Sequence, residues 1–122
     1  MKTGASRLDF CLTPEGERPV WLEVKQVTLK ETDGCGYFPD SVSTRGRRHL
    51  DTLMALRESG DRAVLIFLAA HTGIDHVRPA AHLDPDYAIT FHAACKAGVE
   101  VMMLGCDITP DHVTACRYRH LS

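Results

Sequence analysis

The 122-residue sequence contains no C-x-x-C pair. Its five cysteines, Cys11, Cys35, Cys95, Cys106 and Cys116, are scattered and odd in number. That distribution argues against a disulfide framework or a zinc knuckle and suits a reducing cytoplasm. No apolar run approaches membrane-spanning length, and the first residues, MKTGASR, lack the apolar core of a signal peptide. A cytoplasmic protein with no membrane partner is therefore expected. An excess of either charge is also missing: 14 Lys and Arg face 16 Asp and Glu, a formal net charge of −2. Nothing global drives the chain toward nucleic acid, so any such binding must come from local clusters of Lys and Arg. Repeats, low-complexity tracts and linkers are absent as well. The length is that of a single domain, residues 1–122, and 44% hydrophobic residues suffice for a core without covalent staples.

What is present alternates between two periods. Arg7 to Leu12 reads as a strand with Leu8, Phe10 and Leu12 on one face, and TPEGERP supplies a turn or short loop. Val20 to Leu29 is a second strand, with Leu22 and Val24 opposite Trp21, Glu23 and Lys25, and KETDGCGYFPD is loop-like. From Thr44 the pattern becomes helical, through Leu50, Leu53, Met54 and Leu56, and stops near Gly60. AVLIFLAA is a wholly apolar strand of the kind buried on both faces. Asp84 as N-cap and Pro85 at the first helical position open a second helix, which Gly98 closes; VEVMML and VTACRYR follow as strands. The predicted order is β-β-α-β-α-β-β. A crossover between the second and third strands makes this an α/β (α+β) mixed sheet with helices packed on it.

Two carboxylates and a lysine stand inside the first two strands, where charge is normally avoided. In a hairpin centred on Gly16, Asp9 falls opposite Glu23, since 9 and 23 are equidistant from 16. Opposed residues hold their Cβ atoms roughly 4.5–5.5 Å apart, and like charges there repel. A cation between them turns the repulsion into attraction, and Mg2+ takes one or two carboxylates together with water and phosphate oxygens. Lys25 shares the strand face of Glu23, where an ammonium can hold a scissile phosphate or steady an attacking hydroxide. The alternative is a wetted sheet face on which Lys25 merely neutralises its neighbours.

FPDSVSTRGRRHL places Arg45, Arg47 and Arg48 in the first turn of the predicted helix, against the macrodipole. A phosphate docked at that end accounts for them, and His49 can join it. A solvated charged turn balanced by nearby acids is the alternative. Asp40 is read as the residue that caps this helix or sets how the chain enters it.

Taken together, SRLDFCL, LEVKQVTL and FPDSVSTRGRRHL, followed by RPAAHLDPDYA and AGVEV, closely resemble the sugar fermentation stimulation protein (SfsA) family. The resemblance runs over essentially the whole chain in the same order, and FPD…RG..HL after E-V-K-x-V-T-L is its specific part. It implies a restriction-endonuclease-like fold of the PD-(D/E)xK type. The metal acids then map onto Asp9 and Glu23 and the catalytic lysine onto Lys25, with Mg2+ or Mn2+ as cofactor. It also implies DNA as a partner and a link to the regulation of sugar metabolism; phosphate contacts from Arg45, Arg47 and Arg48 would make that binding sequence-tolerant. Family members carry an OB-like domain and the first nuclease-core elements ahead of S-R-x-D-F. This sequence begins just before that motif, so both are expected to be missing, and the sheet edge thus exposed leaves a homo-oligomer open. Three functions follow: a DNA-binding domain with a Mg2+-dependent deoxyribonuclease site, a non-catalytic DNA-binding regulator using the same groove, or a small-molecule or protein-interaction domain.

Overall fold

The computed structural model describes residues 8–30, 33–69, 74, 76–108 and 113–121. Along the chain run β1 (Phe10–Leu12), β2 (Val20–Val27), β3 (Leu29–Lys30), β4 (Cys35–Phe38), α1 (Thr44–Glu58), β5 (Arg62–Ala69), β6 (His76–Pro79), α2 (Pro85–Lys96), β7 (Glu100–Ile108) and β8 (Val113–His120). All seven predicted elements are present. The main sheet has the order β1-β2-β5-β7-β8 and is mixed: β2, β5 and β7 are parallel, and β1 and β8 pair antiparallel at its flanks. No helix among the described residues is long and apolar enough to cross a membrane.

The order β-β-α-β-α-β-β needs one correction. Three short strands, β3, β4 and β6, form a second sheet with the order β3-β4-β6. The stretch read as a loop, KETDGCGYFPD, contains β4. Its Gly36 signals close packing as well as a turn: a Cβ there would stand 2.9 Å from Ile74 Cγ2 and 3.0 Å from Val27 Cγ1. Only a residue without a side chain lets β4 approach the end of β2 so closely. In β6, Arg78 and Pro79 break the alternation that marks a strand, and Pro is tolerated because β6 lies at the edge of its sheet.

Both helices pack on one face of the main sheet. Leu50, Leu53 and Leu56 of α1 and Tyr87, Phe91 and Ala94 of α2 share a core with Trp21, Ala63, Leu65, Phe67, Val101 and Met103. In register, Glu23 lies beside Leu65 and Lys25 beside Phe67, so both charged residues project from the helix-covered face. The opposite face carries Phe10 and Leu12, which are 55% and 53% exposed. The apolar side of the first strand is thus turned away from the helices.

Short polar contacts hold the ends of these elements. At the start of β2, Asp61 accepts hydrogen bonds from Trp21 Nε1 (2.9 Å) and from Arg18 Nε (2.8 Å), and these donors hold its carboxyl below the usual range. At the other end, α1 is capped by Ser43, whose Oγ accepts the Gly46 N–H at 2.9 Å. Asp40, read as the cap or as the residue that sets the chain's entry, is exposed and lies outside the helix, so it is not the cap. Position decides this, because a cap must immediately precede the first helical residue. Asp84 caps α2 as predicted, accepting the Tyr87 N–H at 3.0 Å through Oδ1, while its Oδ2 accepts the Ser43 N–H at 2.8 Å. One buried carboxylate therefore joins the starts of both helices. Asp84→Ala should cost about 1–3 kcal/mol, more than a single lost cap, because two N–H groups lose their acceptor. Urea denaturation measures the loss, and an unchanged midpoint would contradict the double role.

Candidate functional site

The hairpin register fixes the first contact. Phe10 pairs with Leu22, Cys11 with Trp21 and Leu12 with Val20, so the ladder is centred on Gly16, which takes φ +76°. One further step brings Asp9 across from Glu23, as the sequence predicts. Main-chain N–H groups carry the contact. The Asp9 N–H donates to Glu23 Oε1 at 3.0 Å, and the Val24 N–H donates to Asp9 Oδ2 at 3.0 Å. Each acid is thus tied to the other strand through a main-chain N–H, which locks the register.

Glu23 is 2% exposed, which removes the alternative of a wetted sheet face for that residue, whereas Asp9 is exposed. A buried carboxylate needs a counter-charge and hydrogen bonds. Lys25 Nζ supplies the charge, 2.9 Å from Glu23 Oε2, and its side chain is 14% exposed. His49 completes the group from α1: its Nδ1 lies 2.6 Å from Lys25 Nζ and 2.9 Å from Glu23 Oε2. Burial, reinforced by the Lys25 ammonium, holds His49 below the ordinary histidine range.

The structure therefore brings together Asp9, Glu23, Lys25 and His49, and separates His49 from the arginines with which the sequence groups it. The signal for this was available. His49, Leu53 and Leu56 follow the i, i+4, i+7 spacing of one helix face, the apolar one. Arg45 and Arg48 are exposed at the start of α1, and the Arg45 charge is felt at His49. Arg47 instead reaches across to α2, with Nη1 3.2 Å from Asp86 Oδ2. A further polar group escaped the sequence: the buried Tyr87 hydroxyl has no hydrogen-bond partner among the described residues.

The donor chemistry at Asp9 and Glu23 is that of a hard cation. Among the described residues no group of three or more His, Cys, Asp or Glu is placed to hold a metal alone. Two carboxylates at one site suit an ion that draws its remaining ligands from water and substrate, as Mg2+ does. The buried pair itself makes a sharp prediction. Glu23→Gln should cost about 3 kcal/mol by stranding the lysine charge, whereas the double variant Glu23→Gln/Lys25→Met should cost much less. A double-mutant cycle by urea denaturation checks this, and simple additivity would show that the two side chains are not coupled.

Known proteins resemble this chain in both sequence and structure. Residues 1–112 match the family described as "Sugar fermentation stimulation protein RE domain". A sugar fermentation stimulation protein homolog of Chromohalobacter salexigens is 55% identical over 112 residues, covering 92% of this chain and 44% of the relative. One from Shewanella sp. (strain MR-4) is 48% identical over 108 residues, covering 88% and 46%. The chain thus spans less than half the length of these relatives. Among solved structures, Pyrococcus furiosus SfsA in complex with Ca2+ is similar at a TM-score of 0.85 and 30% identity, over 98% of this chain and 50% of that one.

Proposed function

This chain belongs to the sugar fermentation stimulation protein (SfsA) family, and we propose that it is a DNA-binding domain with a Mg2+- or Mn2+-dependent nuclease-type site. The observation that carries this is the convergence of Asp9, Glu23 and Lys25 beside the arginine-bearing start of α1. Ca2+ in the Pyrococcus relative supports a divalent-cation site in this fold. Asp9 and Glu23 would hold the ion. Bound there, it would polarise a phosphoryl oxygen and lower the pKa of bound water. Lys25 places an ammonium where negative charge grows on the phosphoryl group, a contribution that belongs mainly to the transition state. Arg45, Arg48 and the N-terminal dipole of α1 hold flanking phosphates, which fixes the position of the backbone without reading its sequence. A role in regulating sugar metabolism would act through this DNA binding.

One observation favours a second function, a non-catalytic DNA-binding regulator. Both oxygens of Glu23 already accept from the protein, Oε1 from the Asp9 N–H and Oε2 from the Lys25 ammonium. In that case the buried group is a structural clamp.

The experiment that separates the two is incubation of the purified protein with single-stranded, duplex and branched DNA, with and without Mg2+ or Mn2+, in a plasmid-nicking or end-labelled assay. Lys25→Ala should abolish metal-dependent cleavage while weakening DNA affinity only by one phosphate contact. Nicking at the wild-type rate by Lys25→Ala would remove Lys25 from the chemistry. DNA binding without cleavage under every condition would favour the regulator.

The interface makes its own prediction. Replacing Arg45 and Arg48 together by Ala should weaken binding to all sequences alike. It should also flatten the slope of log K against log salt by about two units, near 0.9 per phosphate contact. Arg47→Ala should flatten it less, since that charge is shared with Asp86. Fluorescence anisotropy across a salt series measures both, and an unchanged slope in the double variant would place the DNA elsewhere.

A further inference from the structure

We propose that His49 is a positioning residue for Lys25, its Nδ1 accepting a hydrogen bond from the lysine ammonium while the ring proton sits on Nε2. The consequence for catalysis rests on the nuclease function proposed above; the hydrogen bond itself does not.

The inference comes from donor counting within a triangle of three buried or nearly buried atoms. Lys25 Nζ lies 2.6 Å from His49 Nδ1 and 2.9 Å from Glu23 Oε2, and Nδ1 lies 2.9 Å from Oε2. An ammonium carries three donors and no acceptor, a carboxylate only acceptors, and a neutral imidazole nitrogen is one or the other. With a proton on Nδ1, the ring would donate to Glu23. The ammonium would then stand 2.6 Å from a ring nitrogen with no free lone pair, donor against donor. With Nδ1 unprotonated, Lys25 donates to both neighbours, and both short contacts to Nζ are hydrogen bonds. The Nδ1–Oε2 approach is then two acceptors sharing one cation rather than an ion pair. The lysine contacts therefore select the Nε2–H tautomer.

Lys25 is a flexible four-carbon arm, and two acceptors on different elements restrict it more than one would. Glu23 holds it from its own strand, and His49 holds it from α1. The third ammonium proton remains for a phosphoryl oxygen. Because Arg45 lies one turn before His49 on α1, the helix that presents arginine to a DNA backbone also sets the lysine. Orientation of a reacting group by such a neighbour is a general device in active sites.

The first test needs no activity. Nitrogen-15 spectra of the metal-free protein should show His49 Nδ1 unprotonated and Nε2 protonated. In Lys25→Met the ring loses its donor, and the proton should move to Nδ1, where Glu23 can accept it. A protonated Nδ1 in the wild type would overturn the assignment. The second test uses single-turnover cleavage. His49→Leu should lower the rate constant roughly ten- to hundredfold with DNA affinity unchanged. His49→Asn, whose amide oxygen stands in for Nδ1, should recover part of the loss. Wild-type rates in His49→Leu, or equal losses in both variants, would refute the positioning role. If His49→Leu fails to fold, the His49→Asn rate and the wild-type tautomer decide. Absence of cleavage by the wild type would retire the nuclease function and leave the hydrogen bond to be judged by the tautomer.

Discussion

Burial of the Glu23 carboxylate is the constraint on which the rest of this structure depends. A carboxylate that is 2% exposed has given up its water, and the fold must return a charge and several donors. The Asp9 N–H arrives from β1 and the Lys25 ammonium from β2, two residues beyond Glu23, while His49 on α1 holds that ammonium in place. Strand pairing, strand alternation and helix docking must all be in register at once for these atoms to meet. A slip of one residue in β2 would turn Glu23 and Lys25 to the opposite face of the sheet, away from His49.

The crossover topology explains why helix and strand meet at this end. Parallel pairing of β2 and β5 requires α1 to run back across the sheet between them. The end of α1 therefore lies near the starts of both strands, where Asp61 binds Arg18 and Trp21 and the Arg62 N–H donates to the Pro19 carbonyl. The helix start is then carried toward the far end of β2, beside Lys25. Asp84 ties that start to the start of α2, so two positive helix ends lie together near the buried charges. The arginine-bearing helix start and the acidic pair are neighbours for a topological reason rather than through any feature of a single element.

Much of this was legible from residue pattern. Alternation in β2 separated Glu23 and Lys25 from Leu22 and Val24, and the loop arithmetic centred on Gly16 gave the pairing of Asp9 with Glu23 that the ladder adopts. The N-cap at Asp84 could be read because Pro follows it directly. Other features were hidden by ambiguous chemistry. Gly36 looks like a turn residue, yet its missing side chain serves close packing inside a strand. Asp40 and Ser43 are both good caps by type, and only the true helix start distinguishes them.

The sequence by itself determined the order of the major elements, the two faces of β2 and the register of the first hairpin. These depend on local periodicity and turn length, which are properties of neighbouring residues. Only the tertiary structure decided which face of the sheet the helices cover, and hence that Glu23 is buried while Phe10 is not. It likewise committed Arg47 to Asp86 and His49 to Lys25. Each of these pairs is made across elements brought together by packing, and a pattern along one strand or helix does not specify which partner lies opposite.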